Sequence, residues 1–391
     1  MGGTTSKNVR KWPRETLCDH DGGINCMAAS EDGSLLVTGS EDKTARLWEL
    51  GGQETSCLGI MRGHSNYISC VTVMDTFILT GSADSTLRKW DTISCDCLFT
   101  YRGHESRISR LLCTGEYVLS ASHDHTAKAW RVKDEDLEGL SDEKALIRTF
   151  EGHTAGVYSL VVDPGEEREK EMGYGDLVIT GSLDCTARSY DFISGTFLKE
   201  FVGHTGCVVS MVTDPGARLL YTGSADKTIR TWDIDKGINY RLFEGHKHHI
   251  TCLLPLSQLL YSGDGGGFVR AWDLTRRDYL KGGARNKVMN QDSLTSFRPA
   301  TNTINSIKLH NGMLFVASGD NMARALDPAT QSLVAVFSGH RIAVTCMAIC
   351  GSRLYTGSTD TTLMVWDLPK LRALGEEPSS SEEEESEEDE D

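Results

Sequence analysis

The sequence predicts an all-β ring of eight four-stranded blades, and three observations predict it. One pattern returns eight times along the 391 residues: a Gly-His or a degraded version of it, then an Asp, then, six residues later, a Trp. The clearest copy runs from Gly203-His204 through Asp226 to Trp232-Asp233. A unit of this length cannot bury its own apolar face, so neighbours must stack. Between the marks the chain is β-like. Ile68-Ser69-Cys70-Val71-Thr72-Val73 is β-branched, Thr76 to Thr80 follows, a Gly/Ser/Asp turn intervenes, and Ser85 to Trp90 completes the unit. Evenly spaced short strands with Gly and aromatic marks in every repeat read as a β-propeller, and no window sustains a helical period. The third observation is an apolar column three residues before each His position: Leu17, Met61, Tyr101, Phe150, Phe201, Phe243, Phe297 and Phe337.

Taken in order, the His column is His20, His64, His104, His153, His204, His246, Ala300 and His340. The Asp column is Asp42, Asp84, Asp124, Asp184, Asp226, Gly266, Asp320 and Asp360, and the Trp column is Trp48, Trp90, Trp130, Tyr190, Trp232, Trp272, Leu326 and Trp366. The fourth copy is lengthened by Pro164 to Asp176. Copy seven has lost its His but keeps Phe297, Asp320 and Arg324 in register, which favours eight blades over a seven-blade ring that ejects this copy.

These Gly-His starts and Trp-Asp ends resemble the WD40 repeat family over roughly Leu17 to Leu368. The resemblance implies that the strand before each Gly-His is the outermost strand of the preceding blade. Glu15 to His20 looks like such a strand, and none follows Leu368, where Pro369 intervenes. The N-terminal strand should therefore complete the last blade and close the ring, leaving no open edge.

Ser/Thr, His, Asp and Trp recurring together could suggest acyl transfer. An active site is unique, however, and this set recurs at one position of the repeat. The resemblance implies a structural tetrad, Trp to hydroxyl to His to Asp. The hydroxyl lies four residues before the Asp, at Thr38, Thr80, Ser120, Thr180, Thr222, Ser262 and Thr356. The complete tetrads are expected in five copies: His20, Thr38, Asp42 and Trp48; His64, Thr80, Asp84 and Trp90; His104, Ser120, Asp124 and Trp130; His204, Thr222, Asp226 and Trp232; His340, Thr356, Asp360 and Trp366. Copy four carries Tyr190 for Trp, copy six Gly266 for Asp, and copy seven keeps Asp320 alone beside Ala300, Val316 and Leu326. Blades six and seven are accordingly expected to be the softest sector. No catalytic residue is expected.

The Gly263 to Gly267 run lacks the Lys-Ser/Thr and helix of a phosphate loop. His246, His248 and His249 lack ligand spacing, so neither metal nor cofactor is expected. Of twelve Cys, Cys26, Cys70, Cys252 and Cys346 fall six residues after a His position and read as small buried hydrophobes. With no signal peptide and no long apolar run, a reduced, cytoplasmic protein is expected, with the nucleus as the alternative compartment.

The formal charge is −16, and residues 376–391 hold eleven acidic residues and no Lys or Arg. The ring is thus only mildly acidic and shows no basic stripe, which argues against direct nucleic-acid binding. Residues 369–391 form a low-complexity acidic tail in which Ser379, Ser380, Ser381 and Ser386 each precede an acidic residue by three, the pattern of acidophilic kinase sites. At the other end, residues 1–14 form a basic arm. Met1-Gly2 with Ser6 fits N-myristoylation at Gly2, and Lys7, Arg10, Lys11 and Arg14 would supply the second signal that one acyl chain needs.

Residues 15–368 are then a monomeric ring. The resemblance implies that peptides dock on its strand-entry rim, where each blade presents the residues three and five after the His and one before the Asp. Tyr67, Arg107, His123 and Tyr158, on three consecutive blades, form the candidate patch, since Tyr and Arg dominate interface hot spots. The expected function is a non-catalytic interaction scaffold for protein partners, in peripheral membrane contact through the arm. The competing reading is a nuclear assembly, chromatin or ribosome-biogenesis factor whose acidic tail engages basic partners.

Overall fold

The structure, a computed structural model, describes residues 9–132, 142–164, 175–214, 218–256, 258–275, 289–291 and 293–368. Gly2, Lys7, Ser379, Ser380, Ser381, Ser386 and the acidic tail lie outside the described residues. Eight sheets, each with four antiparallel strands, follow one another in chain order. From inside outward, the first is Ile24–Ala29, Leu35–Ser40, Ala45–Glu49 and Ser56–Met61. The other blades repeat this plan. Among the described residues the single helical element is the 3-10 turn Asp142–Ala145.

The second strand of each blade is buried on both faces, as in Phe77–Ser82 and Leu177–Ser182. Eight apolar clusters lie between adjacent blades. In one, Trp130 packs with Leu79, Tyr101 and Ile108. The approach is close enough to exclude a side chain. A Cβ at Gly39 would lie 2.5 Å from Ile68 Cγ2 of the next blade, which accounts for the recurring Gly of the Thr-Gly-Ser sequence.

Copy seven is a full blade, built of Ile304–His310, Met313–Ser318, Met322–Asp327 and Ser332–Ser338, so the ring has eight blades. Closure is as expected. Glu15–Leu17 pairs antiparallel with Leu363–Asp367 and supplies the outer strand of blade eight. Arg14 extends the seam: its N–H donates to the Val365 carbonyl, and its guanidinium donates to the Gln53 carbonyl of blade one at 2.8 Å.

One feature was not anticipated. Val9–Lys11 adds to blade seven as a fifth strand, parallel to Ser332–Ser338, with Lys11 opposite Phe337. Met289–Gln291 does the same to blade five, with Gln291 opposite Phe243. Each short strand precedes the outer strand of the following blade, Glu15–Leu17 or Thr295–Phe297, across the same gap. From Val9 onward, then, the basic arm is hydrogen-bonded to the ring. Residue 14 is no break in the backbone pairing.

Candidate functional site

The tetrads occupy the blade interiors. In blade two, Trp90 Nε1 donates to Thr80 Oγ1 at 2.9 Å, and Thr80 Oγ1 lies 2.8 Å from His64 Nε2. His64 Nδ1 lies 2.8 Å from Asp84 Oδ2. A carboxylate only accepts, so Nδ1 carries the proton and Nε2 accepts from the hydroxyl. The second Asp84 oxygen receives the Thr86 amide and hydroxyl. Every member is spoken for, and nothing is left to act on a substrate. The same bonds join His20, Thr38, Asp42 and Trp48; His104, Ser120, Asp124 and Trp130; His204, Thr222, Asp226 and Trp232; and His340, Thr356, Asp360 and Trp366.

Burial alone would raise the pKa of these carboxyls. The His and Thr hydrogen bonds outweigh it, holding Asp42, Asp84, Asp124, Asp226 and Asp360 well below the carboxylate range and Asp184 at about 2. Burial pushes His104, His153 and His246 down, against the pull of their aspartates, so these rings stay neutral.

Blade six corrects the reading of the sequence. Gly266 does stand in the Asp column, but the tetrad is complete. Asp264, two residues earlier, takes the place that Ser224 holds in blade five and reaches His246 Nδ1 at 2.7 Å. Ser262 joins His246 and Trp272 as in the other blades. The other Asp264 oxygen accepts from the Gly266 and Phe268 amides, and the side chain is 1% exposed. Bare glycines leave room for two neighbouring rings: a Cβ at Gly266 would lie 2.2 Å from His248, and one at Gly265 2.3 Å from His249. Blade six therefore does not share the deficit expected of a soft sector.

In blade four, Tyr190 turns its hydroxyl to the Glu151 carbonyl at 2.9 Å, leaving Thr180, His153 and Asp184 joined. Blade seven replaces the network outright. Ala300, Val316 and Leu326 pack in one apolar cluster, and Asp320 pairs with Arg324 at 2.8 Å.

The rim residues converge. Tyr67, Arg107, His123 and Tyr158 line a cavity of about 420 Å³ together with Asn25, Glu41, Ser69, Ile108 and Ser109. Arg107 bridges two of them, donating from Nη1 to Tyr67 Oη at 3.2 Å and from Nη2 to His123 Nε2 at 2.9 Å. The Tyr158 ring meets His123 edge-on, with centroids 6.4 Å apart. Burial, then the adjacent Arg107 charge, lowers the His123 pKa.

A second pattern in this wall went unseen in the sequence. The residue five after each His is the extra residue of a β-bulge in all eight innermost strands. A bulge re-aims its side chain, and here six of them reach the next blade. Asn25 donates to the Ile68 carbonyl, Ser69 to Ile108, Ser109 to Val157, Thr251 to Ile304, Asn305 to Val344, and Thr345 to Ile24. Val209 has no donor for this bond and the Tyr158 ring turns instead to His123, so the girdle lapses where the cavity ends. Of the other rim positions, His249 lies over Gly265, and Leu183 accepts the Cys207 thiol at its carbonyl. Among the described residues, no group of three or more His, Cys, Asp or Glu is placed to hold a metal, and no helix is long and apolar enough to cross a membrane.

Known proteins share this architecture. WD repeat-containing protein 86 of Homo sapiens is 42% identical over 201 residues, 51% of each chain. Mitochondrial division protein 1 of Schizosaccharomyces pombe is 40% identical over 72 residues, 18% of this chain and 11% of that protein. The matches thus span about half or less of these curated relatives. Among solved structures, Sqt1 of Saccharomyces cerevisiae superposes with a TM-score of 0.76 at 14% identity, over 93% of this chain and all of that one. A computationally designed protein, Ika8, gives 0.74 at 22% identity, over 92% of this chain and all of that one. Both are likenesses of fold alone. The family signature "WD domain, G-beta repeat" matches residues 11–49, 55–91, 95–131, 144–191, 195–233, 237–273 and 331–367. With seven copies matched and the intervening stretch folded as an eighth blade, the chain belongs to the WD40 family of β-propellers.

Proposed function

We propose that this chain is a non-catalytic interaction scaffold that holds a peptide segment of a protein partner in the cleft lined by Tyr67, Arg107, His123 and Tyr158. WD40 propellers generally serve as such scaffolds. The observation that carries the reading is the cleft itself: about 420 Å³, rimmed by two tyrosines and an arginine already set in place by Tyr67 and His123. Aromatic and arginine anchors in a preformed concavity are what peptide recognition uses. The tetrads support it from the other side, since their polar groups are consumed by one another. Proximity labelling with the full chain tests it. Tyr67→Ala with Arg107→Ala should remove a defined subset of neighbours, and an unchanged set would refute it.

We further propose that the N-terminal arm tethers the scaffold to a membrane surface in the cytoplasm. Support comes from the motif at Gly2 and from Trp12, which is 68% exposed with the Arg10 guanidinium 4.9 Å from its ring centroid. An aromatic beside basic residues suits an interface. Intact mass should show a myristoyl increment that Gly2→Ala abolishes, together with loss of membrane fractionation. An unmodified Gly2 would end this part of the reading.

A further inference from the structure

Resting on that peptide-binding reading, we propose that the cleft is selective for an anionic side chain, a carboxylate or a phosphate, received by Arg107.

The argument begins with what the cleft's polar groups are already doing. Ser69 donates to the Ile108 carbonyl of the next blade, Ser109 to Val157, and Asn25 to Ile68. The two serine hydroxyls are spent on holding the ring together, and Asn25 has committed one of its two amide N–H groups to the same task. Selectivity then falls to Arg107 and its neighbours.

Arg107 differs from the ion-paired arginines of this chain. Arg188 has Glu200 and Arg324 has Asp320 as ion-pair partners. Arg107 has none among the described residues; its bonds go to a phenol oxygen and an imidazole nitrogen. His123 accepts on Nε2, so it carries no proton there, and the lowered pKa keeps it uncharged beside the guanidinium. A full positive charge is therefore oriented by two acceptors that do not neutralise it. Five N–H groups make up the guanidinium fork, and two are used. The remainder suit the paired oxygens of a carboxylate or phosphate, for which the planar fork is the matching donor. The cost of ordering the long side chain is met before any ligand arrives, which favours binding.

The other charge on the cavity wall is Glu41, on blade one. Its carboxylate lies over Gly23, where an added Cβ would stand 3.4 Å from Oε2. Arg107 stands on blade three, beyond the Tyr67 of blade two. The cleft is thus positive at the end where the aromatic rings gather. A lysine or arginine side chain entering there would meet like charge in a partly desolvated site.

Pools of acetylated decapeptides with randomised flanks and one fixed central residue, Glu, phosphoserine, Gln or Lys, test this with the full chain. We expect the Glu or phosphoserine pool, or both, to be retained at least tenfold over the Gln and Lys pools. Whichever of the two leads identifies the source of the anion. Arg107→Ala should erase the preference and Arg107→Glu should turn it toward Lys, with the thermal midpoint unchanged because the residue is exposed. No preference for the anionic pools over Gln overturns the proposal. If all pools bind alike and Tyr158→Ala releases them all, the anion subsite falls while the cleft stands. If binding is indifferent to both Tyr158→Ala and Tyr67→Ala, the cleft reading falls with it.

Discussion

Asp264 offers the sharpest test of how the ring is stabilised. Three donors converge on its two oxygens: His246 Nδ1, the Gly266 amide and the Phe268 amide, at 2.7, 2.9 and 3.0 Å. With the side chain 1% exposed, Asp264→Ala leaves them without partners and largely without water. Orphaning one buried donor costs about 1–3 kcal/mol. Partial water entry at the two backbone amides reduces the sum, so a loss of about 3 kcal/mol is expected. Asp264→Asn keeps one acceptor and turns an NH2 toward a donor, for about 2 kcal/mol. The decisive variant is the double exchange Asp264→Ser with Gly266→Asp, which restores the layout of the other blades. Its added Cβ meets only the exposed His248 ring, which can rotate away. It should recover most of the loss. Urea unfolding followed by tryptophan fluorescence measures all three at constant m-value. If Asp264→Ala costs under about 0.5 kcal/mol, or the double exchange is no better than Asp264→Ala, the assignment of Asp264 as the blade-six carboxylate is wrong.

Four further outcomes are expected. The seven tetrad carboxyls all titrate below their unfolded values, so the stability they confer is full above about pH 4 and drains away as pH falls toward 2; a thermal midpoint that does not fall between pH 5 and pH 3 would contradict this. Val316→Thr places a hydroxyl at a 0% exposed site whose neighbours are apolar and should cost about 1–3 kcal/mol by urea unfolding. Ser109→Ala removes a girdle bond for about 1 kcal/mol, whereas Val209→Thr can add one to the Ile250 carbonyl and should stabilise by about 0.5–1 kcal/mol. Deleting residues 1–17 strips the outer strand of blade eight, so hydrogen exchange should rise first in Leu363–Asp367.

Much of this molecule was legible before folding, and the reason is spacing. Members of one tetrad lie within one blade, so their separations are nearly constant and survive a degraded copy; Phe297 and Asp320 hold blade seven in register after its His and Trp are gone. Tyr67, Arg107, His123 and Tyr158 were legible by the same arithmetic, because a repeat position projects to one level of the ring. Asp264 was not. Holding the Asp-to-Trp interval rigid pointed to Gly266, and only the turn geometry shows that a carboxylate two residues earlier reaches the same imidazole.

What the amino-acid sequence determined by itself is the ring: number of blades, location of the seam, and the polar groups of five tetrads. The blade count follows from short-range periodicity, and the seam and the tetrads from what the resemblance of the repeats to a known family implies. What only the tertiary structure decided is everything that passes between blades. The girdle from Asn25, Ser69 and Ser109 ends on carbonyls of the next blade. The parallel strands Val9–Lys11 and Met289–Gln291 find partners far away in the chain. The clamp on Arg107 joins a phenol of blade two to an imidazole of blade three. Such contacts depend on the angle and distance at which finished blades meet, and apolar packing between them, rather than any local pattern, sets both.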